Sequence, residues 1–234
     1  PPTAPRPDRH RRRHLARRPF PAMSSSDDKP GGPVMQLLAS GLQLWVRQQC
    51  QSIGSLDIQL QGTGLQLQRG RLAGVQLLAR RVIYKDLHFE LVELISGPIQ
   101  VHSGNLLKGQ PLQLERAFEI QGQVSLTADG LTRSLSGPQW RALGDGLGEA
   151  LLGIVPLVEL RMCRDSLVFA ARAHGTPDLV ELATTVVAAR GSIEILSVDG
   201  KVSSRLPMDT GIHIIDARIE AGMVQLIGTA QVSP

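Results

Sequence analysis

An α+β fold, with a long, strongly curved antiparallel β-sheet wrapped around an N-terminal helix and a second, central helix, follows from three features of the sequence. From Ile58 to Val232 the chain runs through segments that alternate apolar and polar residues with period two. Two stretches, Pro33 to about Gln51 and Pro138 to Leu152, instead carry apolar residues at three- and four-residue spacing. Several of the alternating segments exceed the usual length of about five or six residues, which favours a wide, curved sheet over a compact sandwich. Inner faces built from aliphatic side chains then enclose an apolar channel wherever the helices do not fill the groove.

The residues ahead of this pattern are of another kind. Residues 1 to 22 hold Arg6, Arg9, Arg11, Arg12, Arg13, Arg17 and Arg18 against one acid, Asp8, a net charge of +6, and a polar stretch follows from Ser24 to Gly32. Such a composition cannot bury a core, so residues 1–32 read as a disordered leader and linker ahead of a single β-rich domain over residues 33–234. The chain opens on Pro1 and Met23 begins the polar stretch, so residues 1–22 also fit an extension upstream of the translated start. Residues 23–234 hold 18 basic and 20 acidic residues, a net charge of −2. The pI of about 9.6 therefore comes from the leader, and any attraction to an anionic membrane is expected to reside there. Nucleic acid is not an expected partner, because an aromatic content of 3% leaves no row of stacking platforms.

Along the domain, Pro33 stands where proline is tolerated at a helix start. Val34, Leu38, Leu42 and Trp45 then share a face that Gln36, Gln43 and Arg47 do not, and the helix ends near Gly54. Ile58 and Leu60 against Gln59 and Gln61, then Leu65 and Leu67 against Gln66 and Gln68, read as strands. So do Val75 to Tyr84, Leu87 to Leu94, Leu112 to Leu126, Val158 to Ala173, Leu179 to Ala189, Ile193 to Val198, Ile212 to Ile219 and Met223 to Val232. Turns are expected at Ala128-Asp129-Gly130, Asp199-Gly200 and Ala221-Gly222. The outward face is written in glutamine: Gln59, Gln61, Gln66, Gln68, Gln76, Gln113, Gln121, Gln123 and Gln225 all fall at alternating positions and read as a solvated face. The central helix presents Trp140, Leu143, Leu147, Ala150 and Leu151 on one side. Gly144, Gly146 and Gly148 weaken it by about 1 kcal/mol each relative to Ala, so it needs close packing of its small residues against the sheet.

Catalytic and metal chemistry find little to work with. There is no Gly-x-Ser-x-Gly elbow and no His-Glu-x-x-His run. Cys50 and Cys163 belong to no Cys-x-x-Cys or Cys/His cluster, so neither a disulfide framework nor a zinc site is expected. His88, His102, His174 and His213 are scattered on or beside strands. Gly144-Asp-Gly-Leu-Gly148 lacks the preceding strand that would aim helix amides at a phosphate. Nothing brings Glu90 to Glu93, or Asp209 to Asp216, as an acid–base pair. The protein is accordingly expected to be non-enzymatic and to need no cofactor. No run of 18 or more apolar residues marks a membrane span, and no secretory signal is evident, so the expected location is cytoplasmic or peripheral at a membrane surface.

The residues in order also resemble a family. Asn105-Leu-Leu-Lys-Gly109, Gly122-Gln-Val-Ser-Leu-Thr-Ala-Asp-Gly-Leu131 and Leu206-Pro-Met-Asp209 are similar to motifs of the LmeA-like family of phospholipid-binding proteins, in the form seen in cyanobacterial sequences. The resemblance covers the chain from about Pro33 to Pro234. It implies a tubular lipid-binding fold similar to that of bactericidal permeability-increasing proteins, with a lipid in the hollow, and it brings no catalytic residues. The expected function is therefore to bind a phospholipid or other acyl-chain lipid in an internal apolar channel, for transfer or membrane maintenance. Its lining is expected to include Leu38, Leu42 and Trp45 of the first helix and Leu143, Leu147 and Leu151 of the second. The alternative is a scaffold with a fully packed core, whose strand edges recruit a partner.

Overall fold

Two hairpins with sterically demanding turns set the frame of the fold. In the computed structural model, which describes residues 33–100, 114–173, 175 and 177–234, strands β3 (Gly74–Tyr84) and β4 (Leu87–Ser96) join through Lys85 and Asp86. Strands β12 (Ile212–Glu220) and β13 (Met223–Val232) join through Ala221 and Gly222. All four turn residues have positive φ, 48° and 61° in the first pair and 52° and 72° in the second, as a two-residue turn matched to the strand twist requires. With β1 (Ser52–Gln61) and β6 (Phe118–Leu126) these strands make an antiparallel sheet of order β1-β3-β4-β6-β13-β12. A short ladder of β2 (Arg71–Leu72) and β5 (Ile99–Gln100) stands beside it.

Between β6 and β12 the chain builds a second sheet. Strands β7 (Leu157–Cys163), β8 (Ser166–Arg172), β9 (Leu179–Ala189), β10 (Ser192–Ser197) and β11 (Ser203–Arg205) pair each with the next. The expected single wide sheet is thus two open sheets, and the expected strand from Val158 to Ala173 is a hairpin that turns at Arg164, where φ is 54°. The twist that accumulates over many strands is relieved by dividing them.

Four helices accompany the sheets among the described residues: α1 (Pro33–Gln49), α2 (Gly64–Gln68), α3 (Ala128–Ser136) and α4 (Arg141–Leu152). Two of them replace elements the sequence pattern had assigned otherwise. Residues 64–68 alternate like a strand, but Thr63 Oγ1 accepts from Gln66 N and Gln66 Oε1 accepts from Thr63 N, at 3.3 and 3.0 Å. This reciprocal capping box fixes a helical turn where period two over so few residues cannot. Ala128-Asp129-Gly130 is likewise the first turn of α3 and no reverse turn, because Thr127 Oγ1 accepts from Gly130 N at 3.0 Å and caps the helix. The central helix starts at Arg141, later than Pro138, and ends on Gly153 in the left-handed region.

Helix α3 ties the two sheets together. Ser134, fully buried, accepts from His88 N of β4 at 2.9 Å and donates to Gly130 O at 2.7 Å. Thr132 Oγ1 accepts from Leu160 N of β7 at 2.8 Å. A second tie runs from Ile214 N of β12 to Gly191 O in the β9–β10 turn, 2.9 Å.

The larger hydrophobic cluster forms from α4, the five-stranded sheet and the β12–β13 hairpin, through Leu147, Leu151, Leu160, Phe169, Ile195, Ile214 and Val224 among others. On α4, a Cβ at Gly144 would stand 2.8 Å from Leu135 O and one at Gly148 2.8 Å from Ile154 O, whereas Gly146 faces open space. Two of the three glycines are therefore needed for close packing, but the nearest atoms belong to Leu135 of α3 and Ile154 beyond α4, where the sequence pattern had led us to expect the sheet. A smaller cluster of Met35, Leu72 and Ile99 lies under α1, with Leu38, Leu60, Val75 and Phe118 against it.

Candidate functional site

Residues directly opposite each other in an antiparallel ladder point to the same side, so the register sorts the six-stranded sheet into two faces. One face collects Gln59 and Gln61 of β1, Gln76 of β3, Gln121 and Gln123 of β6 and Gln225 of β13. It also carries Arg218, which bonds Glu220 at 2.7 Å, Gln225 at 3.0 Å and Asp216. The hydrogen bond to Glu220 comes first among the causes that push the Arg218 guanidinium above its ordinary value. This is the expected glutamine face. Gln66 is instead on α2, and Gln113 lies outside the described residues.

The other face is aliphatic from edge to edge. It presents Leu56, Ile58 and Leu60 of β1, Val75, Leu77 and Ala79 of β3, and Val92 and Leu94 of β4. It continues through Ile120, Gly122, Val124 and Leu126 of β6, then Val224, Leu226, Gly228 and Ala230 of β13, to Ile212, Ile214, Ala217 and Ile219 of β12. The smaller cluster covers one end through Leu60, Val75 and Phe118. The larger cluster covers the other through Ile214, Ala217, Ile219, Val224 and Leu226. Between them runs a strip, Leu56, Leu77, Val92, Leu94, Ile120 and Val124, whose side chains are half-buried and join neither cluster, with the buried Ile58 and Ala79 set among them on the same face.

Two glycines on this face mark close approaches. Gly122 and Gly228 are direct partners across β6 and β13, on this face. A Cβ at Gly122 would stand 2.9 Å from Leu94 Cδ2, the far end of a flexible side chain, so Leu94 folds over the space that Gly122 leaves. A Cβ at Gly228 would meet the His213 carbonyl oxygen at 2.6 Å, so there the backbone itself comes close, beside the bulge at Ile214/Asp216. Polar groups near this face lie toward its margins: Glu90 of β4, Arg81, which has φ 52° and whose guanidinium group lies over Gly54, and Ser96, whose Oγ accepts from Val75 N at 2.8 Å.

The residues expected to line a channel are found in two separate places. Leu38 packs on the smaller cluster and Leu42 is half-buried, while Trp45, on the same helical face near the end of α1, is 56% exposed. Leu147 and Leu151 are 4% and 5% exposed inside the larger cluster, with Leu143 packed against it. The strip residues Leu77, Leu94 and Val124 were missed. Their strands were legible, but which strands pair, and in what register, was not.

The groups considered for chemistry are held apart. Glu90 and Glu93 are three residues apart on β4 and so point to opposite faces. Asp209 accepts from Gly211 N at 2.8 Å, and Asp216 is taken by Arg218. Cys50 and Cys163 are free thiols, and burial pushes the Cys50 thiol up. No metal-holding group of His, Cys, Asp or Glu occurs among the described residues. His102, His174 and residues 1–32 lie outside them. No helix among the described residues is long and apolar enough to cross a membrane.

A family model described as LmeA-like phospholipid-binding matches residues 32–229. No curated protein and no solved structure matches the chain. Of the three motifs that carry the resemblance, the one from Gly122 to Leu131 spans the end of β6, the Thr127 cap and the start of α3. The one from Leu206 to Asp209 docks Leu206 and Met208 on the larger cluster. The first motif, Asn105 to Gly109, is outside the described residues.

Proposed function

The chain belongs to the LmeA-like phospholipid-binding family, and from that premise we propose that it holds a phospholipid with its acyl chains on the aliphatic face of the six-stranded sheet. The observation that carries this reading is the strip itself: six half-buried aliphatic side chains, between two packed clusters and beside the Gly122–Gly228 pair, joined to neither cluster. Each methylene laid there contributes about 0.8 kcal/mol, so ten of them supply about 8 kcal/mol before the cost of ordering the chain. Aliphatic walls without aromatic rings suit a flexible chain better than a planar ligand. Arg81, at the margin of the same face, is placed for a head-group phosphate.

In this proposal the strip lines the internal channel of a tubular lipid-binding fold, Leu38 and Leu42 of α1 flank it, and the protein carries or transfers the lipid without chemistry on it. The separation of the candidate carboxylate pairs supports binding over catalysis. Native mass spectrometry with lipid extraction tests the premise: co-purified phospholipid is expected, and a clean apo mass favours the packed scaffold. Leu94→Trp tests the place. It should leave the melting temperature nearly unchanged, since Leu94 is only half-buried, and abolish uptake of a fluorescent phospholipid, since the indole covers the strip above Gly122. A large loss of stability in Leu94→Trp would show a packed core there.

A further inference from the structure

All the interface-type aromatic residues of this chain lie in the elements that meet at one end of the six-stranded sheet. The sequence has two Trp and one Tyr. Tyr84 is the last residue of β3 and 39% exposed. Trp140, at the start of α4, donates from Nε1 to Lys85 O in the β3–β4 turn at 2.6 Å. Trp45 lies with Leu44 in the last turns of α1, 56% and 59% exposed, about 6 Å of helix before Gln49. The chain leaving α1 then comes to the same turn. Gln51 Nε2 donates to Asp86 Oδ1 at 2.5 Å, and Gln51 Oε1 accepts from Asp86 N at 3.0 Å.

The bases gather with them. Arg47 in the last turn of α1, Arg80 and Arg81 near the end of β3, Lys85 in the turn and Arg141 opening α4 are all exposed. None has an ion-pair partner among the described residues. Lys85 Nζ stands 5.4 Å from the Tyr84 ring centroid, so ring and ammonium are presented as one group. The acids on these elements are fewer at this end: Asp86, engaged by Gln51, and Glu90 in the row of Arg81, with Asp57 and Asp145 further in along β1 and α4. The domain outside the leader carries −2 in all, so this end is basic against an acidic remainder. Sequence alone placed the membrane attraction in the leader, because folding is what brings Arg47, Lys85 and Arg141 together.

We infer that this end of the domain docks on an anionic lipid bilayer, with Leu44, Trp45 and Tyr84 at the headgroup level and the bases on lipid phosphates. Amphipathic rings with exposed bases and an aliphatic residue are the chemistry that partitions into the membrane interface. The bases select an anionic over a neutral surface. Nucleic acid is disfavoured by the lack of a row of stacking rings. The inference goes beyond the lipid-holding reading, and the two fail separately.

The chain's two tryptophans report on the docking without a label. The full chain, leader included, is mixed with phosphatidylcholine vesicles with and without phosphatidylglycerol, and as W45F and W140F to separate the signals. A blue shift of Trp45 emission and its quenching by brominated acyl chains are expected on the anionic vesicles alone. R80Q/K85Q/R141Q, all at exposed positions, should keep the melting temperature and the co-purified lipid while the shift weakens roughly 100-fold in vesicle affinity. Co-sedimentation with no shift in either tryptophan would assign the attachment to the leader and overturn the proposal. So would an unchanged shift in the triple variant, or a Trp45 shift on single-stranded RNA in place of vesicles. Loss of co-purified lipid in the triple variant would count against the docking role and make these bases part of the lipid site.

Discussion

The strip on the six-stranded sheet and the larger cluster are both built from aliphatic side chains, yet they stand in different physical conditions. In the cluster, β8 is dry on both faces at its middle: Phe169 is 1% exposed, and Ala170 and Ala171 are fully buried. Helix α4 lies close because Gly144 and Gly148 let it. The strip has equally apolar residues and a glycine pair, but its side chains are half-buried. The difference teaches that composition does not separate a core from a binding surface. What separates them is whether a second element covers the face, and α4 with the five-stranded sheet covers only one end.

The largest effects test that contrast directly. Phe169→Ala should destabilise the protein by about 3–5 kcal/mol, since its neighbours cannot collapse into the space. Leu94→Ala should cost less than about 2 kcal/mol, because the leucine is only half-buried. Urea denaturation of the two variants gives the comparison. Equal losses would mean that the strip is packed core and the lipid reading misplaced.

A smaller and more local contrast lies within α4. Gly144→Ala should cost about 1–3 kcal/mol, because the added methyl meets the Leu135 backbone, which must shift. Gly146→Ala, two residues on and facing open space, should stabilise by about 0.5–1 kcal/mol through helix propensity alone. The pair decides whether the helix is held by close approach. If both substitutions stabilise, α4 is loosely seated and the larger cluster is more yielding than its burial indicates.

Much of this was readable before the fold was known, and the limits have identifiable causes. The β12–β13 hairpin was legible because Ala221-Gly222 leaves few alternatives to a tight turn. The glutamine face was legible because period two survives over long strands. The capping box of α2 and the N-cap of α3 were also present in the sequence, as Thr63-x-x-Gln66 and as Thr127 ahead of Asp129 and Gly130, but alternation and Asp-Gly were given more weight. The candidate site was not legible. Leu77, Leu94, Gly122 and Gly228 come from four strands, and only the register, a tertiary property, puts them side by side. Leu147 and Leu151 stood out because a single helix displays its own face, which is also why the sequence directed attention to the core.

The smallest expected effect asks whether the two regions unfold together. Asp199, exposed in the turn between β10 and β11, accepts from Ser197 Oγ at 2.6 Å and from Lys201 N at 3.2 Å, with the Lys201 ammonium 3.2 Å away. The Ser197 hydrogen bond, then those from Lys201, lower its pKa from 3.8 to about 2. A folded-state pKa below the unfolded value means that the unfolded chain binds more protons between the two. The contribution is therefore fully present above about pH 4 and lost as pH falls toward 2. Asp199→Asn keeps an acceptor oxygen and removes the titration. The melting-temperature difference between parent and Asp199→Asn should be constant from neutral pH to about 4 and shrink below it. Because Ser134 and Thr132 of α3 bond to both sheets, this small pH term should appear in one shared transition. Two transitions, with the pH dependence confined to one, would show that the five-stranded sheet and its cluster melt apart from the strip, and that the ties through α3 are too weak to couple them.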